Sequence, residues 1–221
     1  VRADERALVV RNLERAEDIN PAALAAGIDW SFETFPEYLD AVDRLPKGIN
    51  FAANIGHSAL RTWAMGERAF EHEATDDDLA LMRQQLADSI RAGAIGFSTS
   101  RSEHHETSDD RPVASRLASW GEVDQLVRTM GDLGAGIFET ADGGMLAPDP
   151  DVRERSLTRL RTLAATSGVP ITFGFVATSA ADRLLDFLDE AAADGGRLIA
   201  QTHCRGISVL LSFKTKLPFD L

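Results

Sequence analysis

Five residues of this sequence have the types and positions that chemistry needs: His57, Ser98, Arg101, Glu139 and His203. Each stands in or just after a short apolar run. Glu139 lies in the run Ala135 to Thr140, where a carboxylate is costly unless it is paired or bound to a metal. His203 closes the stretch Gln201-Thr202-His203-Cys204-Arg205, the place for a ligand or a proton shuttle. These two are the candidate catalytic residues. Ser98 and Arg101, in Gly96-Phe97-Ser98-Thr99-Ser100-Arg101, could grip a carboxylate through a hydroxyl and a planar guanidinium. His57, in Gly56-His57-Ser58-Ala59-Leu60-Arg61, could contact substrate as well. Each has a plainer role open to it. His57 could cap a helix, Ser98 could be a cap and Arg101 a surface charge. Glu139 could form an interior salt bridge, and His203 could be a satisfied rim residue.

The elements that would position these groups can be read from periodicity. The runs Ile49 to Ile55, Ala94 to Thr99, Ala135 to Thr140, Val169 to Val176 and Arg197 to Thr202 are continuous rather than alternating. That is the pattern of parallel strands covered on both faces. Amphipathic helices separate them. Thr75 caps one with Leu79, Met82, Leu86 and Ile90 inward and Gly93 as its stop. Ser119 with Glu122 reads as a capping box for a helix burying Val123, Leu126, Val127 and Met130. Asp149-Pro150 starts a third, which stops at Gly168, and Ser179 opens a fourth. Ala3 to Ala16 reads as a short helix, followed by an aromatic-rich approach from Trp30 to Leu39.

The resulting βαβαβαβαβ order predicts an α/β fold with a parallel sheet, either an open doubly wound sheet or part of an eight-stranded barrel. No Gly-x-Gly-x-x-Gly follows an early strand, which favours the barrel. The expectation is a partial (β/α)8 TIM barrel of about five βα units, residues 1–221 forming one segment of a larger barrel domain. The polar stretch 102–116, with Glu103, His104, His105, Glu106, Asp109 and Asp110, is expected to be a mobile lid. No P-loop, His-Glu-x-x-His, Cys-x-x-Cys, His-x-His or nucleophile-elbow sequence is present.

Composition bounds the partners. The 221 residues carry a formal net charge of −12, which argues against a nucleic-acid partner. No apolar run approaches the ~20 residues that cross a bilayer, and the charged start lacks a signal-peptide core. The single Cys204 excludes an internal disulfide, and the expectation is a cytoplasmic protein. A small-molecule ligand fits best. Five strands cannot close a barrel, so exposed edges would favour association, and a homo-oligomer is one expected outcome.

The segment Trp30-Ser31-Phe32-Glu33-Thr34-Phe35-Pro36-Glu37-Tyr38-Leu39 resembles the approach W-x-F-x-T-F-x-x-Y-L of D-aminoacylase-like amidohydrolases. Asn50 to Asn54 with Gly56-His57-Ser58-Ala59-Leu60-Arg61 is similar to that family's N…G-H-S-x-L-R stretch. Gly93-Ala94-Ile95-Gly96-Phe97-Ser98-Thr99 resembles its G-A-x-G-F-S-T, so the likeness covers roughly residues 28 to 100. The resemblance implies a metal-dependent barrel, usually with zinc, that hydrolyses non-peptide carbon–nitrogen bonds in N-acylated small molecules, N-acyl-D-amino acids first among them. The family's upstream His-x-His and downstream aspartate have no counterpart here. Where it places T-H-x-R this chain has Thr140-Ala141-Asp142, and where it places S-H this chain has Gly174-Phe175. The alternative is a non-catalytic barrel, or degenerate relative, that only binds a small acid.

Overall fold

The computed structural model describes residues 1–2, 5–16, 19–175, 181–204 and 206. Its centre is a five-stranded parallel sheet of β1 (Asn54–Gly56), β2 (Gly96–Ser100), β3 (Ile137–Ala141), β4 (Ile171–Gly174) and β5 (Leu198–Gln201). The strands lie in the order β1-β2-β3-β4-β5. A doubly wound sheet reverses its strand order at a switch point. This one never does, so each strand lies beside its sequence neighbour, as barrel strands do.

Three helices precede the sheet: α1 (Arg6–Glu14), α2 (Pro21–Gly27) and α3 (Phe35–Asp43). The crossovers are α4 (His57–Met65) with α5 (Asp76–Ala92), then α6 (Trp120–Leu133), α7 (Pro150–Ser167) and α8 (Ala181–Ala193). Their ends follow local chemistry. Thr75 accepts from the Asp78 N–H while Asp78 returns the bond, a complete capping box. Asp149 caps α7, with Pro150 in its first turn. Gly93, Gly134 and Gly168 end α5, α6 and α7 in the left-handed conformation. Ser179 and Val176 lie outside the described residues.

Strand alternation divides the sheet into two unlike faces. Phe97, Phe138, Ile171 and Phe173 point toward the helices. There they join Met82, Leu86, Leu126, Met130, Leu157, Leu160 and Phe187 in one core, and Phe97 stacks on Phe138 at 5.7 Å. The opposite, concave face carries Asn54, Ser98, Ser100, Glu139, Thr172 and Gln201, and also leaves Ile137 and Ile199 exposed. In a closed barrel this would be the interior.

The first expected strand is shorter than its apolar run. Ile49 and Phe51 are exposed, and pairing begins only at Asn54, because β1 has a neighbour on one side alone. Among the described residues no helix is long and apolar enough to cross a membrane.

Candidate functional site

The carboxyl ends of β1, β2 and β3 open into a cavity of about 410 Å³. The strands contribute Gly56, Ser98, Ser100, Glu139 and Ala141, and α4 contributes Ser58. The roof comes from Val9, Asn12 and Leu13 of α1 and from His105, Val113 and Ser115 after β2. This is the position that ligands take in parallel βα folds. A second cavity of about 370 Å³ adjoins it, sharing Val9, Leu13, Gly56 and Ala59. Its walls are apolar: Trp30, Phe32, Phe35, Tyr38 and Trp63.

The register places Gly56, Ser98, Glu139 and Thr172 in one row across four strands. Ser98 and Glu139 therefore share the cavity floor. Asn54 Nδ2 donates to Glu139 Oε2 at 2.8 Å, so the carboxylate is held by a neutral partner rather than a salt bridge. Further along the same face, Gln201 Nε2 donates to Thr172 Oγ1 at 2.7 Å, and Thr172 donates to the Ile199 carbonyl at 3.0 Å.

The structure does not bring Arg101 to this face. It follows inward-facing Ser100 by one residue, so its side chain leaves on the other side, and Nη1 donates to the Ala118 carbonyl at 2.8 Å. His203 is exposed, two residues past the end of β5, and makes no hydrogen bond with a described residue. Arg205, expected beside it, lies outside the described residues.

His57 is the first residue of α4 and is buried, on the helix side of the sheet. Nε2 lies 2.8 Å from Glu122 Oε1, and Nδ1 lies 2.8 Å from Thr99 Oγ1. A carboxylate can only accept, so Nε2 carries the proton and the Thr99 hydroxyl donates to Nδ1. Both nitrogens are thus engaged within the protein. Arg61, one turn along α4 and fully buried, donates to Glu122 Oε2 and to the His72 carbonyl. Glu122 therefore joins α4, β2 and α6. Sequence reasoning placed it in a capping box. Ser119 does accept from the Glu122 N–H at 3.1 Å, but the carboxylate turns inward, because two buried donors outcompete a solvated cap. The signal in the sequence was His57 and Arg61 four apart, which puts two donors on one buried helix face.

Burial pushes the His57 imidazole below its ordinary value of 6.5, with the Glu122 contact opposing it. Burial also pushes the Glu122 carboxyl up, yet the hydrogen bonds and charges of His57 and Arg61 outweigh it and hold the group below 4.5. Both directions have the same consequence in acid. Unfolded His57 takes up a proton that folded His57 resists, so stability falls as pH drops below 6.5. Glu122 adds a second loss as pH falls through the ordinary carboxyl range. Thermal melts should therefore show a falling midpoint from pH 7 to pH 5, and His57→Gln should flatten that leg.

Within the stretch 102–116, residues 106–112 form a tied turn. Glu106 and Pro112 form an antiparallel bridge, and Thr107, fully buried, closes the turn by accepting from the Arg111 N–H at 3.2 Å. Arg111 pairs with Glu67 at 3.3 Å, and Arg15, just past the end of α1, pairs with Asp110. The Ala114 N–H donates to Asn12 Oδ1 at 3.0 Å. This stretch and α1 thus roof the cavity together.

A zinc site needs three or more nitrogen, sulfur or carboxylate donors converging on one point. Among the described residues no group of three His, Cys, Asp or Glu converges that way. Glu139 is engaged by Asn54, and the residues after β3 and β4, Asp142 and Phe175, do not restore the missing histidines. The donor set does not fit the metal.

Compared with known proteins, the chain matches no family model. It is 39% identical over 84 residues to the D-aminoacylase of Alcaligenes xylosoxydans xylosoxydans, covering 36% of this chain and 17% of that protein. An N-acyl-D-aspartate deacylase of the same organism is 37% identical over 70 residues, covering 32% of this chain and 14% of that one. In structure, the chain superimposes on a D-aminoacylase with a TM-score of 0.60 at 23% identity, over 77% of its own length and 34% of the other. Over these stretches the chain is similar to D-aminoacylases. The same fold recurs in the N-acyl-D-glutamate deacylase of Bordetella bronchiseptica, solved with zinc and a phosphonate inhibitor, at a TM-score of 0.60 and 20% identity, over 76% of this chain and 34% of that one. The chain thus spans about a third of the length of these solved D-aminoacylase-like proteins. Its sheet has the fold of part of a TIM barrel.

Proposed function

We propose that this chain forms the substrate-side wall of an amidohydrolase that removes the acyl group from N-acyl-D-amino acids or closely related linear amides. The observation that carries the reading is the row of Ser98 and Glu139 on the floor of a roofed cavity at the strand ends, in a chain whose relatives are D-aminoacylases. Glu139 takes the role of a general base or acid, its carboxylate oriented by Asn54. Ser98 offers a hydroxyl to the amide. The aromatic cavity takes the acyl group, since it adjoins the floor and is lined by Trp30, Phe32 and Tyr38. No step is assigned to a metal, because the described residues do not gather its ligands.

The test is amine release from N-acetyl-D- and N-acetyl-L-amino acids by the product of the reading frame that encodes these residues. The D-series should be cleaved in preference, and Glu139→Gln should lower kcat/KM by about 100-fold or more, the usual worth of a positioned acid or base. Gln retains a partner for Asn54, so the fold should survive. Equal rates in the variant would remove Glu139 from the chemistry. Saturable binding of an N-acyl acid with no amine release would favour a non-catalytic binder.

A further inference from the structure

The roof of the cavity contains a pair that the amidohydrolase reading does not use. Ser100 Oγ lies 2.6 Å from His105 Nδ1, a short hydrogen bond between a hydroxyl and an imidazole. Ser100 is the last residue of β2 on the concave face, and both residues line the 410 Å³ cavity. Neither position is accidental. The Ser100 carbonyl accepts from Ser115 Oγ at 2.8 Å, which fixes the strand end. The His105 backbone N–H donates to the Ser102 carbonyl at 3.1 Å, and the His105 carbonyl accepts from the Val113 N–H at 3.3 Å, which holds its main chain beside Ser100. The Ser102 N–H lies 3.4 Å from Ser100 Oγ, a long hydrogen bond that helps orient the hydroxyl. A serine hydroxyl is a weak nucleophile until a base within hydrogen-bond reach takes its proton. This geometry supplies that base.

We propose that Ser100 and His105 form a nucleophilic dyad that accepts acyl groups from small carboxylic esters. Ser100 Oγ attacks the ester carbonyl as His105 Nδ1 takes its proton. The carbonyl–alkoxide bond breaks, the alcohol leaves with the proton from His105, and an acyl-serine remains. Water then attacks that ester, His105 again taking the proton, and the carboxylic acid departs with Ser100 restored. Esters are the matching class because an alkoxide or phenolate leaves far more readily than an amine. The activity draws on none of the residues assigned to amide cleavage, Ser98 and Glu139 included.

The probe is a fluorophosphonate, which phosphonylates an activated serine with loss of fluoride. Incubated with the 221-residue chain, it should add a single label that peptide mapping places on Ser100. p-Nitrophenyl acetate should give a burst of nitrophenolate. His105→Gln should slow labelling by about 100-fold, the order contributed by a positioned base, and Ser100→Ala should abolish it. Circular dichroism melts separate a lost dyad from a lost fold. If either variant unfolds, Ser100→Cys serves instead: its alkylation by iodoacetamide should run faster at pH 7 than that of Cys204. Absence of a label on Ser100, or labelling of a folded His105→Gln chain at the parent rate, would overturn the proposal. These outcomes do not depend on amine release, so the dyad and the amidohydrolase reading can fail separately.

Discussion

Glu122→Ala should cost the chain about 3–5 kcal/mol, the usual penalty for removing one partner of a buried ion pair. The reason is what it leaves behind. Arg61 is fully buried, and its Nη1 would lose the carboxylate that balances its charge. His57 Nε2 would lose its acceptor at the same time. Neither group can reach water without opening the contact between α4 and α6. For a chain of this size the loss corresponds to a fall of about 6–20 °C in the melting midpoint. Apolar replacement of both charges, Glu122→Leu with Arg61→Met, should recover most of it, because the cost lies in the orphaned charge rather than in a missing attraction. Melts followed by circular dichroism check both. A Glu122→Ala midpoint within about 2 °C of the parent would show that Arg61 is not buried as described.

Gly96→Ala should be nearly as damaging, for a steric reason. A Cβ at this position would stand 1.9 Å from the Ile137 carbonyl oxygen and 2.8 Å from Asn54 Oδ1. The first neighbour is backbone in a paired strand, so it cannot rotate away. β1, β2 and β3 would have to separate, with a cost of roughly 3 kcal/mol or more, as for severe overpacking. The same separation would shift Asn54 from Glu139, coupling a stability defect to the cavity floor. Gly174→Ala is the control. It lies on the same concave face with nothing within 4 Å of the added carbon, and should change stability by under about 1 kcal/mol. Urea melts of the two variants side by side decide the matter. Similar midpoints would refute the close approach of β2 and β3.

Much of the scaffold was legible because its causes are local. Thr75 and Gly93 bound α5 through bonds made within a few residues, and each continuous apolar run holds one strand of the sheet. The strand-end rule singles out Ser98 and Glu139, and parity puts the two on one face. Parity would also have removed Arg101, since residues 98 and 100 face the cavity and 101 does not. Glu122 was misread because its local partner, Ser119, satisfies a capping rule while its decisive partners lie 61 and 65 residues away. The ion pairs that tie the 102–116 stretch escape the sequence for the same reason. Its acids and arginines look like a solvated loop in the sequence, yet Arg111 and Asp110 find partners on Glu67 and Arg15. Composition cannot show which charges meet across such distances.

Among its described residues the chain carries, at the strand ends of a barrel-like sheet, a cavity with no convergent zinc ligand set. Equilibrium dialysis of the 221-residue chain against zinc, with metal counted by atomic emission, tests it most directly. No stoichiometric zinc should bind, and chelator should leave the melting midpoint unchanged. One equivalent of tightly held zinc, lost in Glu139→Ala or His203→Ala, would contradict it.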